Sequence, residues 1–148
     1  MDADEAPRAV LFACTSNAIR SPMAAGLLRR RFGPMMRVES VGVRPGGQVD
    51  IMAVQVMDDF GVDLAKHRPR TFEDVAEEHF DLIVTLSPEA HHHALGLIPA
   101  LGTSVEYWPT FDPSLNEGSR EQRLMEYRLV RDGLDARISQ RFPRPSTG

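Results

Sequence analysis

Five apolar residues in a row, Ala9-Val10-Leu11-Phe12-Ala13, run straight into a polar loop, Cys14-Thr15-Ser16-Asn17-Ala18-Ile19-Arg20, and Ser21-Pro22 follows at once. A strand with one wet face alternates apolar and polar residues, whereas an unbroken apolar run is buried on both faces. Such a strand belongs in a parallel sheet covered by helices on either side. Serine then proline suits the start of a helix, as N-cap and first helical residue. Strand, polar loop and helix start therefore come in immediate succession.

The rest of the chain repeats the alternation. Met23, Leu27, Leu28 and Phe32 share one face of a helix predicted from Ser21 to Phe32, which Gly33-Pro34 stops. Arg29 to Arg31 read as its solvated end, where the helix dipole favours cations. Arg37 to Val43 is a predicted strand, Pro45-Gly46-Gly47 a turn, and Asp50 to Phe60 a helix ended by Gly61. Lys66 to Arg70 is a basic loop, and Thr71 opens a short helix to about Glu78. Strands are predicted at Phe80–Leu86 and Thr103–Tyr107, with a helix from Ser87 to about Leu97 between them. Leu124, Tyr127, Val130, Leu134 and Ile138 mark a long last helix over Ser119–Phe142. This β-α alternation predicts an α/β fold with a parallel sheet. At 148 residues the chain reads as one domain over 1–148, with 1–7 and 143–148 as loose termini.

Composition narrows the function. The net charge is −4, the wrong sign for a nonspecific binder of nucleic acid, so no nucleic-acid partner is expected. A single cysteine excludes an internal disulfide and any multi-cysteine metal site, and it suits a reducing compartment. Met1 to Pro7 is acidic and unlike a signal peptide, and no apolar run approaches the ~18 residues of a membrane span. We therefore expect a cytoplasmic protein, monomeric or weakly dimeric, with no membrane, metal or cofactor. His91-His92-His93 are consecutive on a predicted helix, point about 100° apart, and do not converge as metal ligands. Trp108 fits either a pocket wall or a cover for the sheet edge, and His67 either the flank of the cleft or a brace for the loop.

The loop carries the chemistry. Ligands of parallel sheets sit beyond the carboxyl ends of the strands, which is where Cys14 lies. A loop that ends at a helix start turns several backbone N–H groups inward and favours an anion. Thr15, Ser16, Asn17, Ala18, Ile19, Arg20 and Ser21 are thus the expected phosphate-binding residues. Cys14, as a thiolate, is a nucleophile suited to phosphorus. The planar fork of Arg20 can hold two phosphoryl oxygens. Ser21 can donate its hydroxyl hydrogen to the sulfur. Asn17 tolerates left-handed backbone and can pin the loop through its amide. A departing alkoxide needs a proton, and the candidate is Asp112, after the fourth strand and held extended by Pro113.

Val10-Leu11-Phe12-Ala13-Cys14 through Arg20-Ser21-Pro22-Met23-Ala24 resembles the signature of the low-molecular-weight protein tyrosine phosphatase superfamily. Glu39-Ser40-Val41-Gly42, Gly61-Val62-Asp63, His67-Arg68-Pro69-Arg70, Phe80-Asp81-Leu82-Ile83 and Asp112-Pro113 resemble further motifs of that family, over about residues 8 to 142. The resemblance implies a three-layer α/β/α domain whose four parallel strands lie in the order 2-1-3-4. It implies a cysteinyl-phosphate intermediate, Asp112 as general acid, and Ser40 as support for Asn17. The substrate would be a phosphorylated protein or a small phosphoester. Residues 107–138 are also similar to the ending of thioredoxin-coupled arsenate reductases, which share the fold. Those enzymes relay oxidation to two further cysteines, which this chain lacks. A reductase reading therefore requires an external low-molecular-weight thiol. A third reading is a phospho-ligand binding module without turnover. Ile19 stands where the family often has a second loop cysteine. Ser114 and Leu115 follow Asp112-Pro113 where many tyrosine phosphatases have aromatics, and the loop near Gly46-Gly47-Gln48 lacks an aromatic wall.

Overall fold

β1, Ala9–Cys14, is buried along its whole length, as its unbroken apolar run requires. The computed structural model of the protein describes residues 7–97 and 102–143. β2 is Arg37–Gly42, β3 Leu82–Thr85 and β4 Ser104–Tyr107. All four are parallel and lie in the order β2-β1-β3-β4. Alternate residues of β1 serve two cores. Val10, Phe12 and Cys14 face Met23, Leu27, Leu28, Met57, Tyr127 and Ile138, whereas Ala9, Leu11 and Ala13 face Phe72, Val75, Ala90 and Ala94. The first core is built with α1 (Arg20–Phe32), α2 (Ile51–Asp58) and α4 (Arg120–Arg141), and the second with α3 (Pro88–Leu97). The result is a three-layer α/β/α fold. None of the described helices is long and apolar enough to cross a membrane.

The helix starts are set by side chains where the flanking loop leaves room. Asp50 caps α2 by accepting from the Met52 and Ala53 amides. Ser119 and Gln122 form a reciprocal capping box on α4. α1 departs from expectation. Its N-cap is Ile19, which makes no side-chain cap, and Ser21 lies inside the helix. The loop before α1 dictates that entry, and the Ser21 hydroxyl turns to Cys14 instead.

Two other expectations change. The helix predicted over 71–78 is a single 3-10 turn, Glu73–Val75. β3 spans only Leu82–Thr85 of the predicted Phe80–Leu86, although the Asp81 and Leu86 amides at its ends still donate to Ala9 O (2.9 Å) and Ala13 O (2.8 Å), and the Asp81 carboxylate accepts from the Arg8 and Ala9 amides. Arg29 and Arg30 are exposed at the end of α1, as expected, but Arg29 and Arg31 also bind backbone: Arg29 Nε donates to the Val38 carbonyl and Arg31 Nε to the Phe142 carbonyl, each at 3.0 Å. Arg30 lies 4.8 Å over the Phe60 ring. The termini read as loose, 1–7 and 143–148, lie outside the described residues except for Pro7 and Pro143.

Candidate active site

Cys14 ends β1 opposite Gly42 of β2, and the chain then turns back on itself. Asn17, at φ 56°, is the only described residue other than glycine in the left-handed region, a conformation asparagine accepts more readily than most. Neighbouring segments tie the loop carbonyls outward. Val43 N–H donates to Cys14 O (3.2 Å), Arg44 to Thr15 O (2.8 Å), Gly46 to Ser16 O (3.3 Å) and Asp50 to Ala18 O (3.0 Å). His67 Nε2–H donates to Asn17 O at 2.9 Å. With the carbonyls held outside, the amides face the centre. The Asn17 amide donates to Cys14 Sγ at 3.2 Å, and those of Ser16, Ala18 and Ile19 have no acceptor among the described residues. This arrangement is a nest for an anion at the start of α1.

The Asn17 side chain is fully buried and braces the loop from within. Its Nδ2 donates to Ser21 Oγ (2.8 Å) and Ser40 Oγ (3.0 Å), and its Oδ1 accepts from the Arg70 amide (2.8 Å). The Ser40 contact is the one implied by the resemblance. Ser21 Oγ lies 3.0 Å from Cys14 Sγ and 3.3 Å from the Val41 carbonyl. A hydroxyl has one hydrogen to donate. Facing a thiolate it donates to sulfur; facing a thiol it is released to Val41 O. Thr15 Oγ1 donates to Ser87 Oγ at 3.0 Å, fastening the loop to the start of α3.

Arg20 Nη1 donates to the Thr110 carbonyl (3.0 Å), and Nη2 stands 3.9 Å from Asp112 Oδ2. Asp112 is extended at φ −88° and ψ 106°, as the following proline requires. Its Oδ1 accepts from the Ser114 amide (2.9 Å) and hydroxyl (2.7 Å), which leaves Oδ2 toward Arg20. The residues predicted from sequence, Cys14 to Ser21, Ser40 and Asp112, are thus brought together at one end of the sheet.

Sequence reasoning missed others. Gly42 is required by close approach: a Cβ there would lie 2.7 Å from Asn17 N and 2.9 Å from Thr15 O. Gly42→Ala is expected to destabilise the fold by about 1–3 kcal/mol in denaturant titration, the range for overpacking against unyielding atoms. A loss under about 0.5 kcal/mol, the scale of an ordinary surface change, would mean that the loop has room to move. Tyr127 is buried in α4, and its hydroxyl donates to Asp50 Oδ2 at 3.1 Å, joining α4 to the α2 cap and so to Ala18. Burial raises its phenol well above the ordinary range, and the Asp50 and Asp112 charges push the same way. Tyr127 is visible in the sequence only as one of a core stripe, and nothing there marks Asp50 beyond a helix cap.

His67 is a loop brace. Burial holds its imidazole below the ordinary value, aided by Arg29 and Arg70 and opposed by the bond to Asn17. Trp108 is 3% exposed, packs edge-on against Phe12 in the core, and also borders an open pocket with Thr110, Phe111 and Arg137, so both expected roles are met. His91 stacks on Tyr107 at 4.5 Å and its Nδ1 pairs with Thr85 Oγ1, while His93 lies 4.6 Å from Phe72. No cluster of three metal-ligating side chains occurs among the described residues.

The model of the low molecular weight phosphotyrosine protein phosphatase family matches residues 9–140. An arsenate reductase of Halalkalibacterium halodurans is 32% identical over 133 residues, 88% of this chain and 92% of that protein. The solved arsenate reductase of Archaeoglobus fulgidus superposes with a TM-score of 0.63 at 27% identity, over 88% of this chain and 98% of that one. The YwlE arginine phosphatase of Geobacillus stearothermophilus has a TM-score of 0.74 at 24% identity over 90% of each chain, a likeness of fold alone.

Proposed function

The chain belongs to the low molecular weight phosphotyrosine protein phosphatase family, and from that premise we propose that it is a phosphomonoester hydrolase working through a cysteinyl phosphate. One observation carries the reading. The single cysteine of the sequence lies under an anion nest whose far wall holds Arg20 and, 3.9 Å from it, the carboxyl oxygen of Asp112.

The loop amides and the Arg20 fork bind the equatorial phosphoryl oxygens, where negative charge is spread during transfer. The Cys14 thiolate attacks phosphorus as the ester P–O bond breaks, and protonated Asp112 gives its proton to the departing oxygen. Asp112, now a carboxylate, takes a proton from the water that attacks the cysteinyl phosphate. The P–S bond breaks, and the Ser21 hydroxyl stabilises the departing thiolate. Phosphate leaves and both side chains are reset. The sulfur must remain unoxidised between turnovers, which suits a reducing cytoplasm.

A second reading is an arsenate reductase, favoured by the 32% identity to a protein of that name. Reducing arsenate removes two electrons from the enzyme, and Cys14 has no partner cysteine to form a disulfide. An external thiol must then supply the second sulfur.

Purified protein is assayed on para-nitrophenyl phosphate and, in parallel, on arsenate with glutathione or mycothiol. Hydrolysis without arsenite formation is the expected result; arsenite formation without hydrolysis reverses the assignment. The Asp112 role has its own test. Asp112→Asn should lower kcat by about 10²–10⁴ on phenyl phosphate, the usual worth of a positioned acid, and far less on para-nitrophenyl phosphate, whose leaving group needs little protonation. Equal losses on both esters would remove Asp112 from that role.

A further inference from the structure

Beside the nest, on the Ser16–Asn17 side, runs an open groove of about 1170 Å³. Gln48, Ile51 and Val54 line one side, and Lys66, His67 and Arg68 the other. Two contacts fix it against the nest: His67 Nε2–H donates to Asn17 O, and Gly46 N–H donates to Ser16 O. The groove is an open surface depression, not an enclosed cavity, so a polypeptide segment can reach it from solvent. Its apolar side is exposed, with Ile51 at 74%.

Lys66 and Arg68 are both exposed and enter no ion pair among the described residues, although the whole chain carries −4. Arg44, on the same edge of the nest, is by contrast paired with Glu89 at 2.6 Å. The carboxylate nearest in sequence to Ile51, Asp50, commits its oxygens to the Met52 and Ala53 amides and to Tyr127. Asp63 caps the Ala65 amide. Two unpaired cations and an exposed aliphatic side chain thus border a site for a dianion.

Resting on the phosphatase reading, we propose that this groove docks an acidic polypeptide segment adjoining the phosphorylated residue, so that the substrate is a phosphoprotein with Asp or Glu beside its phosphoresidue. The phosphoryl group enters the nest, the neighbouring carboxylates meet Lys66 and Arg68, and an apolar residue lies over Ile51. A protein of net negative charge repels long polyanions, and two isolated cations offer local complementarity only.

The test uses the full chain, the double variant Lys66→Glu/Arg68→Glu, and three phosphotyrosyl peptides with flanking Glu, Ala or Lys. For wild type, kcat/KM should be about tenfold higher on the Glu peptide than on the Ala peptide, a modest value because both cations are solvent-exposed. The preference should shrink between 25 and 300 mM KCl, as the screening length falls below ~10 Å. The double variant should lose or reverse it while para-nitrophenyl phosphate, too small to reach the groove, is turned over as by wild type. No Glu preference in wild type, or one that survives the double variant, overturns the proposal. Fluorescence anisotropy of a labelled, unphosphorylated Glu peptide separates the two claims. Binding that weakens in the double variant supports the groove even if para-nitrophenyl phosphate is not hydrolysed, in which case only the phosphatase reading falls. Displacement of that peptide by a short oligonucleotide more readily than by unlabelled Glu peptide assigns the groove to nucleic acid and overturns the proposal.

Discussion

Replacing Cys14 by serine is expected to lower kcat on para-nitrophenyl phosphate by at least ~10³, the scale on which loss of a covalent nucleophile registers. The substitution is conservative in every respect but one. Cys14 is 1% exposed, and serine fits its space without enlarging the core. A seryl oxygen can still accept from the Asn17 amide and meet Ser21 Oγ, so the nest keeps its shape. What is lost is the sulfur nucleophile: an alcohol in the same place has no base positioned to take its proton. Phosphate or vanadate should therefore bind the serine protein while turnover disappears. Pre-steady-state kinetics with substrate in excess supply the second readout, since wild type should release one equivalent of para-nitrophenol in a burst and the variant none. Turnover within tenfold of wild type, with a folded protein, would falsify Cys14 as nucleophile.

The features that were legible in the sequence are those that side chains announce. An unbroken apolar run marks β1, the stripe Leu124, Tyr127, Val130, Leu134 and Ile138 marks α4, and a polar loop between strand and helix marks the nest. The place of Asp112 beside Arg20 was legible because it follows the fourth strand, at the sheet edge where Cys14 ends β1. The Ser21 cap was misread because the loop, not the cap, decides how the chain enters α1. At Ile19, φ −133° and ψ −74°, the backbone is committed to the nest before the helix begins. The backbone bonds of Arg29 and Arg31 were not legible because their acceptors, Val38 O and Phe142 O, belong to other segments. The same holds for the Thr110 carbonyl that aims Arg20. Every residue carries a carbonyl, so residue type gives no sign of which ones will be used. Tyr127 and Asp50 escaped notice because 77 residues separate them and each had an adequate local explanation as core or cap.

That Thr110 carbonyl also determines what replacing Arg20 will do. Arg20→Lys keeps the charge and much of the stem, and it should still lower kcat/KM by about 10²–10³, the usual loss when one preorganised transition-state donor is removed. Arg20 is 8% exposed and its planar head is divided: Nη1 is held by Thr110 O, and the rest of the fork remains for phosphoryl oxygens. An ammonium has no such division. It is a single point of charge that can settle on Thr110 O or on the phosphoryl group, and it cannot hold two oxygens in a plane. The loss should be concentrated in kcat, because charge alone serves the ground-state dianion whereas the planar fork matches the flattened phosphoryl group in transit. Stability should fall by only about 1 kcal/mol, since an ammonium can keep the bond to Thr110 O. Vanadate inhibition, which reports on a five-coordinate geometry, should weaken in step with kcat, and inhibition by simple phosphate much less. A lysine variant that retains kcat/KM within threefold, or that loses vanadate and phosphate binding equally, would mean that Arg20 contributes charge alone and that its plane is set by Thr110 for structural reasons only.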